Sequence, residues 1–459
     1  MIGESKRKFL AFRATIAISL FSLIVLGAFG QVSDADDTKP AKAKEPAPSL
    51  ASMPNLFITE SQQYLIRVNE ARGLETKYAK SEQLNSMYLQ LRGTLYSYVG
   101  MYREALTDFD HAQRSKPTTA DPNALQEMEA RDALATVLEL AGQRQVIMIN
   151  EAHHVPLHRT FTTQLLDGLY RKGYRYFAAE TLASTDPKLE ERGYPNLKTG
   201  YYSAEPMYGE LIRTALRLGY HVVPYEAENS RAPNQTDDPA KAQNDREEGQ
   251  AQNLKKRILD KDPKAKIIVH AGYAHITKKP TTWNFGAKSG EVRLMACRFK
   301  ALTGIDPLTV DQTLMTERGD PSLDNAFLKT AIERGLVKDR PIVLRDHNTK
   351  EYFVPKSYQG SYDLVVFHPR SKYENGRPTW LAIGGARHST ALSGIERLPK
   401  GKRYLAQAFY PNEEMKTAVP ADQIVYTADS VPPTLWLPKG EMHIRIIDES
   451  GNSVLEMNK

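Results

Sequence analysis

From residue 145 onward, short apolar runs alternate with stretches of helical period. "QVIMI" (145–149) is a strand-length run. In "LHRTFTTQLLDGLYRKG" (157–173), Phe161, Leu165, Leu166 and Leu169 fall on one side of a helix and Gly173 stops it. "YRYFAAE" (174–180) reads as a strand, "PMYGELIRTALRLG" (206–219) as a helix and "YHVVPYE" (220–226) as a strand. "PAKAQNDREEGQAQNLKKRILDKD" (239–262) reads as a long polar helix, and "KIIVHAGYAH" (266–275) as a strand running into a loop. The pattern continues with a helix in "PSLDNAFLKTAIERGL" (321–336) and a strand in "PIVLRD" (341–346). Strand–helix–strand alternation predicts parallel βαβ units. The expected fold class is α/β, a mostly parallel sheet flanked by helices, over 141–370.

The flanks read differently. The block 55–140 is helical, and within it "RGTLYSYVGMYREALTDFDHAQRSKP" (92–117) carries a specific spacing. Gly93 and Tyr96 lie on a first helix, Gly100 and Tyr102 at a turn, and Ala105, Phe109 and Ala112 on a second helix that Pro117 ends. This resembles one tetratricopeptide repeat, whose small and large residues interlock two antiparallel helices. It implies either a protein-partner groove or a hairpin that braces the next domain, and bracing is the expectation. After 370 the helical period disappears. "WLAIGG", "RYLAQAFYP", "DQIVYTAD", "PTLWLPKG" and "MHIRIIDESGNSVLEM" read as short strands, with a hairpin at "IDESGNSV". A small β-rich module is expected over 371–459.

The N-terminus changes the picture of location. "KRK", the apolar "TIAISLFSLIVLGAFG" and Ala28-Phe29-Gly30 form the three parts of a signal peptide over 1–30, cleaved near Gly30; a retained anchor is the alternative. Residues 31–54, rich in Pro, Ala, Lys and Asp, read as a flexible linker. An exported protein, periplasmic or secreted, is expected, touching the membrane only through that segment. The 459 residues carry a formal charge of +6, half of it in the first thirty, where Lys6, Arg7, Lys8 and Arg13 oppose Glu4. The remainder is too weakly basic to argue for nucleic acid, and no basic stripe interleaved with aromatics is present. The single cysteine, Cys297, excludes an internal disulfide and sits in "LMACRF", read as an apolar strand-like setting for an inert buried thiol. There is no G-x-S-x-G elbow for a serine nucleophile.

The candidate chemistry gathers where open α/β sheets bind ligands, beyond the carboxyl ends of the strands. Glu151, His153, His154 and His158 follow the first strand, Glu180 ends the second, Glu226 and Glu228 the third, and His270 and His275 the fourth. Solvated loop charges are the bland reading. Four successive strand ends with ionisable groups point instead to a site. Imidazole and carboxylate are ligands of Zn²⁺, Fe or Mn²⁺ and equally natural general acids and bases. The spacing is not that of the helical H-E-x-x-H zinc motif.

These residues carry a resemblance. "NEAHHVPLHR" is similar to the "GE-x-H…H" opening of the superfamily that joins erythromycin esterase-like hydrolases, ChaN-like haem-binding proteins and Tiki/TraB-type metalloproteases. Glu151 matches the family glutamate, His153 or His154 its histidine, and His158 a further ChaN-like histidine. "FAAET" supplies Glu180, "DREEGQAQNL" resembles the esterase-branch helix through Arg246, Glu247, Ala251 and Asn253, and "HAGYAH" contains Gly272-x-x-His275. "YDLVVF" (362–367) resembles a late core strand. Asn150 replaces the usual glycine and Gln250 a methionine. The resemblance implies either an ester- or amide-cleaving hydrolase or a haem- or iron-binding envelope protein. In the first case His153 or His154 activates water, Glu151 or Glu180 orients it, Arg246 steadies an oxyanion and His275 is a second acid/base, acting on a small-molecule or peptide substrate. A metal version uses Glu151, His153, His154, Glu226 and His275 as ligands. In the second case His153 and His158 hold the cofactor.

Overall fold

The computed structural model describes residues 62–121, 123–227, 237–285, 288–429 and 432–459. The expected signal peptide, the linker and Glu228 lie outside the described residues.

Eight strands form the main sheet: β1 (Met128–Asp132), β2 (Val146–Glu151), β3 (Tyr174–Ala179), β4 (His221–Pro224), β5 (Lys266–Gly272), β6 (Leu308–Met315), β7 (Ile342–Asp346) and β8 (Leu364–Phe367), in the order β1-β7-β8-β6-β2-β5-β3-β4. The pairs from β8 through β4 are all parallel, while β7 runs against both its neighbours. The fold is therefore α/β with a mostly parallel sheet. Strand β2 is buried along its whole length and β5 at all but its first residue, which explains why both read as unbroken apolar runs. Side chains alternate between faces. Ile147, Ile149 and Ile268 join the core under α5 (Leu157–Arg171) and α6 (Pro206–Leu218). Val146, Met148, Ile267 and Val269 pack under α7 (Pro239–Leu254) and α8 (Met295–Thr303).

Three expectations are corrected. The sheet begins before residue 141: β1 lies inside the segment read as helical and pairs with β7 from Met128↔Asp346 to Asp132↔Ile342. Its half-exposed sequence has no apolar alternation, so only the backbone pairing makes it a strand. "LMACRF" is the start of α8, and Cys297 is only partly buried on it. "WLAIGG" contains a short 3-10 turn, Thr379–Ala382, in place of a strand.

The repeat-like segment forms two antiparallel helices, α2 (Glu82–Tyr98) and α3 (Tyr102–Gln113), with the preceding α1 (Tyr64–Gly73) against α2. Gly93 lets them approach: a Cβ there would fall 2.8 Å from the Phe109 ring and 3.1 Å from the Ala105 carbonyl. The hairpin leans on the carboxyl edge of the main sheet, where Phe109 stacks on His154. The C-terminal strands form a four-stranded antiparallel sheet (Asp422–Thr427, Arg403–Phe409, His443–Ile447, Ser453–Asn458) and a ribbon of Arg387–Ala391 with Thr434–Pro438. Buried ion pairs tie this module to α6: Arg213 with Glu413 at 2.6 Å and Arg387 with Glu210 at 2.8 Å.

Candidate functional site

Two buried ionic clusters occupy the carboxyl edge, one on each side of Gly272. The first centres on Glu151, the last residue of β2 and 1% exposed. Arg159, one turn into α5 and fully buried, grips it with a two-pronged fork: Nε donates to Oε2 at 2.6 Å and Nη2 to Oε1 at 2.8 Å. The same guanidinium donates to Glu205 Oε2 at 2.8 Å and to the His153 carbonyl at 2.8 Å. Two imidazoles complete the shell, His153 Nδ1 at 2.8 Å from Glu151 Oε1 and His270 Nε2 at 3.0 Å from Oε2. Burial opposes ionisation of Glu151, but Arg159 and the imidazole bonds outweigh it and hold the carboxyl well below its ordinary range. A carboxylate only accepts, so His153 Nδ1 carries a proton, and in the neutral ring the lone pair is on Nε2. That Nε2 is buried and has no hydrogen-bond partner among the described residues.

The second cluster centres on Glu180, the residue after β3. Its Oε1 accepts from Arg246 Nη2 at 2.7 Å and lies 3.4 Å from His275 Nε2, and its Oε2 accepts from the Gly272 N–H at 2.6 Å. Arg246 also donates to both oxygens of Glu226, at 3.1 and 2.6 Å, and passes 3.4 Å from His275 Nε2. His275 Nδ1 meets Glu247 Oε2 at 2.8 Å. Burial disfavours the imidazolium, yet Glu247 and Glu180 together push the His275 pKa up to about 10. Burial likewise disfavours the Glu180 carboxylate, and His275 and Arg246 hold it well below its ordinary range all the same. Each matched residue of the "DREEGQAQN" stretch has a position here. Arg246 and Glu247 face inward, Ala251 packs in the core, and Asn253 Nδ2 donates to the Tyr225 and Glu226 carbonyls at 3.1 and 3.0 Å. Arg246 is no surface ion pair; only 2% of it is exposed.

The clusters meet over Gly272. A Cβ on this residue would fall 2.4 Å from His153 Cε1, 2.5 Å from His153 Nε2 and 3.0 Å from Glu180 Oε2. Only glycine leaves room for the unpartnered imidazole nitrogen and the carboxylate oxygen to converge there. The next residue, Tyr273, adopts φ +35°, a region that L-residues seldom enter. Its ring meets His153 edge-on at 5.2 Å and its hydroxyl lies 3.2 Å from His154 Nδ1. His154 and Tyr273 border a cavity of about 820 Å³ between the α2/α3 hairpin and the sheet edge, with Trp283, Arg318 and Tyr358 on its other walls.

The structure thus separates the adjacent histidines. His153 turns to Glu151, while His154 stacks face to face on Phe109 at 3.4 Å and borders the cavity. Burial, Arg318 and His153 depress the His154 pKa, so its ring is neutral. His158, expected to hold a cofactor, lies in the core of the molecule. The residue is fully buried, its Nδ1 accepts from the Ala152 N–H at 3.0 Å, and its Nε2 lies 3.3 Å from Thr316 Oγ1. With both nitrogens engaged it has no ligand to give a haem. The expected metal set Glu151, His153, His154, Glu226 and His275 is not brought together either. Glu151 and Glu226 are saturated by Arg159 and Arg246, and His275 is held as a cation between two carboxylates. Metal ligands must be deprotonated and available, which leaves only the two histidines, His153 and His154, of this set. Among the described residues no group of three or more His, Cys, Asp or Glu side chains is arranged to hold a metal ion. His388 is exposed on the Arg387–Ala391 strand.

Arg159, Glu205 and the inward role of His270 were not read from the sequence. A signal for Arg159 existed: it shares a helical stripe with Thr162 and Leu166, so the period of α5 places a cation on the buried face.

No family model matches the sequence, and no curated protein matches it. Among solved structures, the chain is similar to the type III effector HopBA1 (13% identity, 45% of this chain and 93% of that one, TM-score 0.27). It is also similar to RRSP, a MARTX toxin effector domain from Vibrio vulnificus CMCP6 (18% identity, 54% and 49%, TM-score 0.29). A third match is a structure described as bacterial protein toxins (16% identity, 55% and 57%, TM-score 0.29). Likenesses this slight carry no argument about what the chain does.

Proposed function

We propose that this protein is an exported hydrolase that cleaves an ester or amide by acid/base chemistry at the edge of its sheet. The observation that carries the reading is the buried, unpartnered Nε2 of His153, backed by Glu151 through Nδ1 and facing Glu180 Oε2 across Gly272. An imidazole held by a carboxylate through one nitrogen, with its other nitrogen unpaired beside a second carboxylate, has the arrangement of a general base. A water held between His153 Nε2 and Glu180 Oε2 gives one proton to the imidazole as its oxygen attacks the carbonyl carbon. Glu180 accepts the second hydrogen and orients the attack. The imidazolium then returns its proton to the leaving oxygen or nitrogen. Arg246 and His275 keep Glu180 ionised, and Arg159 does the same for Glu151. Arg246 thereby serves as a positioning group, and His154 as a wall of the substrate cavity. The resemblance of "DREEGQAQNL" to the helix of the esterase branch supports the same reading.

The test is turnover of a panel of p-nitrophenyl esters and anilides by the mature protein and by His153→Gln. Loss of a general base costs about 10²–10⁴-fold in rate. The variant should lose at least a hundredfold in kcat while unfolding at the wild-type temperature. Equal rates in the two proteins would sink the reading.

A further inference from the structure

Tyr202 is the second residue beside the reacting position whose polar atom has nothing to do. Its side chain is 4% exposed and its hydroxyl has no hydrogen-bond partner among the described residues. The ring lies flat on His153, with centroids 3.7 Å apart and planes 11° from parallel. Two stacked rings therefore each carry one buried, unsatisfied polar atom, a lone pair on His153 Nε2 and an O–H on Tyr202. Leaving such a group unpaired is unfavourable by about 1–3 kcal/mol, and a substrate oxygen would relieve it.

The placement of Tyr202 is built by the segment around it. Thr181 follows Glu180 directly, and its Oγ1 accepts from the Tyr202 N–H at 2.8 Å and the Ser203 N–H at 3.2 Å. Gly200 closes the turn against Thr181, where a Cβ would fall 1.8 Å from the Thr181 carbonyl oxygen. Ser203 Oγ donates back to the Gly200 carbonyl at 2.8 Å. The clamp thus fixes Tyr202 to the residue next to the catalytic carboxylate. Burial, Tyr201 and Glu180 all hinder loss of the phenol proton, so the hydroxyl stays a donor.

We infer that Tyr202 is a catalytic residue that donates its hydroxyl to the substrate's acyl oxygen, forming with His153 a two-point receptor for a carbonyl that turns tetrahedral. This rests on the hydrolase reading. As water attacks, the carbon–oxygen bond to water forms, the carbonyl π pair moves onto the acyl oxygen, and the water proton passes to His153 Nε2. The Tyr202 O–H bonds the resulting oxyanion without transferring its proton. When the intermediate collapses, the pair returns to the carbonyl, the leaving group departs with the proton from His153, and the hydrogen bond to Tyr202 relaxes. Preorganised donors of this kind are worth about 10²–10³-fold in kcat.

The experiment compares the mature wild type, Tyr202→Phe and Tyr98→Phe. Tyr202→Phe keeps the ring stack and removes one oxygen. Tyr98→Phe is the structural control, since its hydroxyl donates to the Tyr201 carbonyl at 3.0 Å within the same segment. Ester turnover, thermal unfolding and calorimetric binding of phenylphosphonate, a tetrahedral anion, are measured on each. Tyr202→Phe should lose about 100-fold in kcat with KM within about threefold, bind the phosphonate about tenfold more weakly, and unfold no lower than wild type. The control should lower the unfolding temperature and spare kcat. An unchanged kcat in Tyr202→Phe, with the wild type active, overturns the inference and leaves the hydrolase standing. A wild type that hydrolyses nothing but binds the phosphonate through Tyr202 overturns the hydrolase and keeps Tyr202 as an anion donor. No turnover, with phosphonate binding absent or indifferent to the substitution, overturns both.

Discussion

At the scale of single residues, the site depends on charges that are stable only in company. Arg159 has no exposed surface and hydrogen-bonds two buried carboxyl groups, Glu151 and Glu205. Removing it strands both in a low-dielectric interior. Breaking a buried pair costs about 3–5 kcal/mol, so Arg159→Met should lower the free energy of unfolding by that amount, read from urea titrations. A loss under about 1 kcal/mol would mean the pair is not buried in solution. The sequence displayed some of this chemistry and hid the rest. Glu151, His153, Glu180 and His275 were visible because they end strands. Arg159 and Glu205 were not, because each has an ordinary local explanation: a cation in a helix, and an N-cap before Pro206, whose carboxylate does accept from the Tyr208 N–H at 2.9 Å. Which of His153 and His154 turns to Glu151 was also hidden. Neighbouring residues in a turn diverge, and what each meets comes from elsewhere, Tyr202 for one and Phe109 for the other.

At the scale of elements, β6 went unread because Thr309, Asp311, Gln312 and Thr313 break its apolar run, while the parallel strands β2 and β5 were legible because their apolar runs are buried on both faces, and α5 and α6 because they carry the helical period. Strand β1 and helix α8 were not. β1 is a half-exposed edge whose identity comes from its partner β7, and the apolar start of α8 is too short a run to show a period. The carboxyl end of β5 makes its own prediction. A methyl group at Gly272 must push His153 and Glu180 apart. Gly272→Ala should therefore cut ester turnover at least a hundredfold, because a 1 Å misplacement costs on that order, while circular dichroism still reports the same secondary structure. Full activity in that variant would show that the two groups do not converge over Gly272.

At the scale of the whole molecule, the buried ionisable groups set how stability follows pH. His275 binds its proton more tightly folded than unfolded, with a pKa near 10 against an ordinary 6.5. Its contribution is complete below pH 6.5, declines as pH rises, and is gone above about 10. Burial above all depresses His154 and His158, and burial alone lowers His368 to about 3. These three stabilise fully above pH 6.5 and lose their contribution as pH falls, joined by Glu151 and Glu180 below about 4.5. Stability should peak near pH 6.5, with a steeper acid limb from three histidines than alkaline limb from one. Each group changes the unfolding free energy by about 1.4 kcal/mol per pH unit within its window. Urea titrations from pH 5 to 10 measure both limbs, and His275→Gln should flatten the alkaline one. A wild-type profile flat between pH 6.5 and 9 would remove the imidazolium from the Glu180 cluster.

The sequence by itself determined the α/β class, the sheet edge where ionisable groups collect, the helical hairpin and the strand-rich C-terminal module. Each of these follows from a local rule of period, turn or strand end. Only the tertiary structure decided that the glutamates are paired with buried arginines. It also decided that His158 is a core residue, that Gly272 joins two clusters, and that Tyr202, brought in by a clamp on Thr181, stacks on His153. The physical reason is range: period and propensity act over a few residues along the chain, whereas the pairing and desolvation of a charge depend on whatever the fold packs against it.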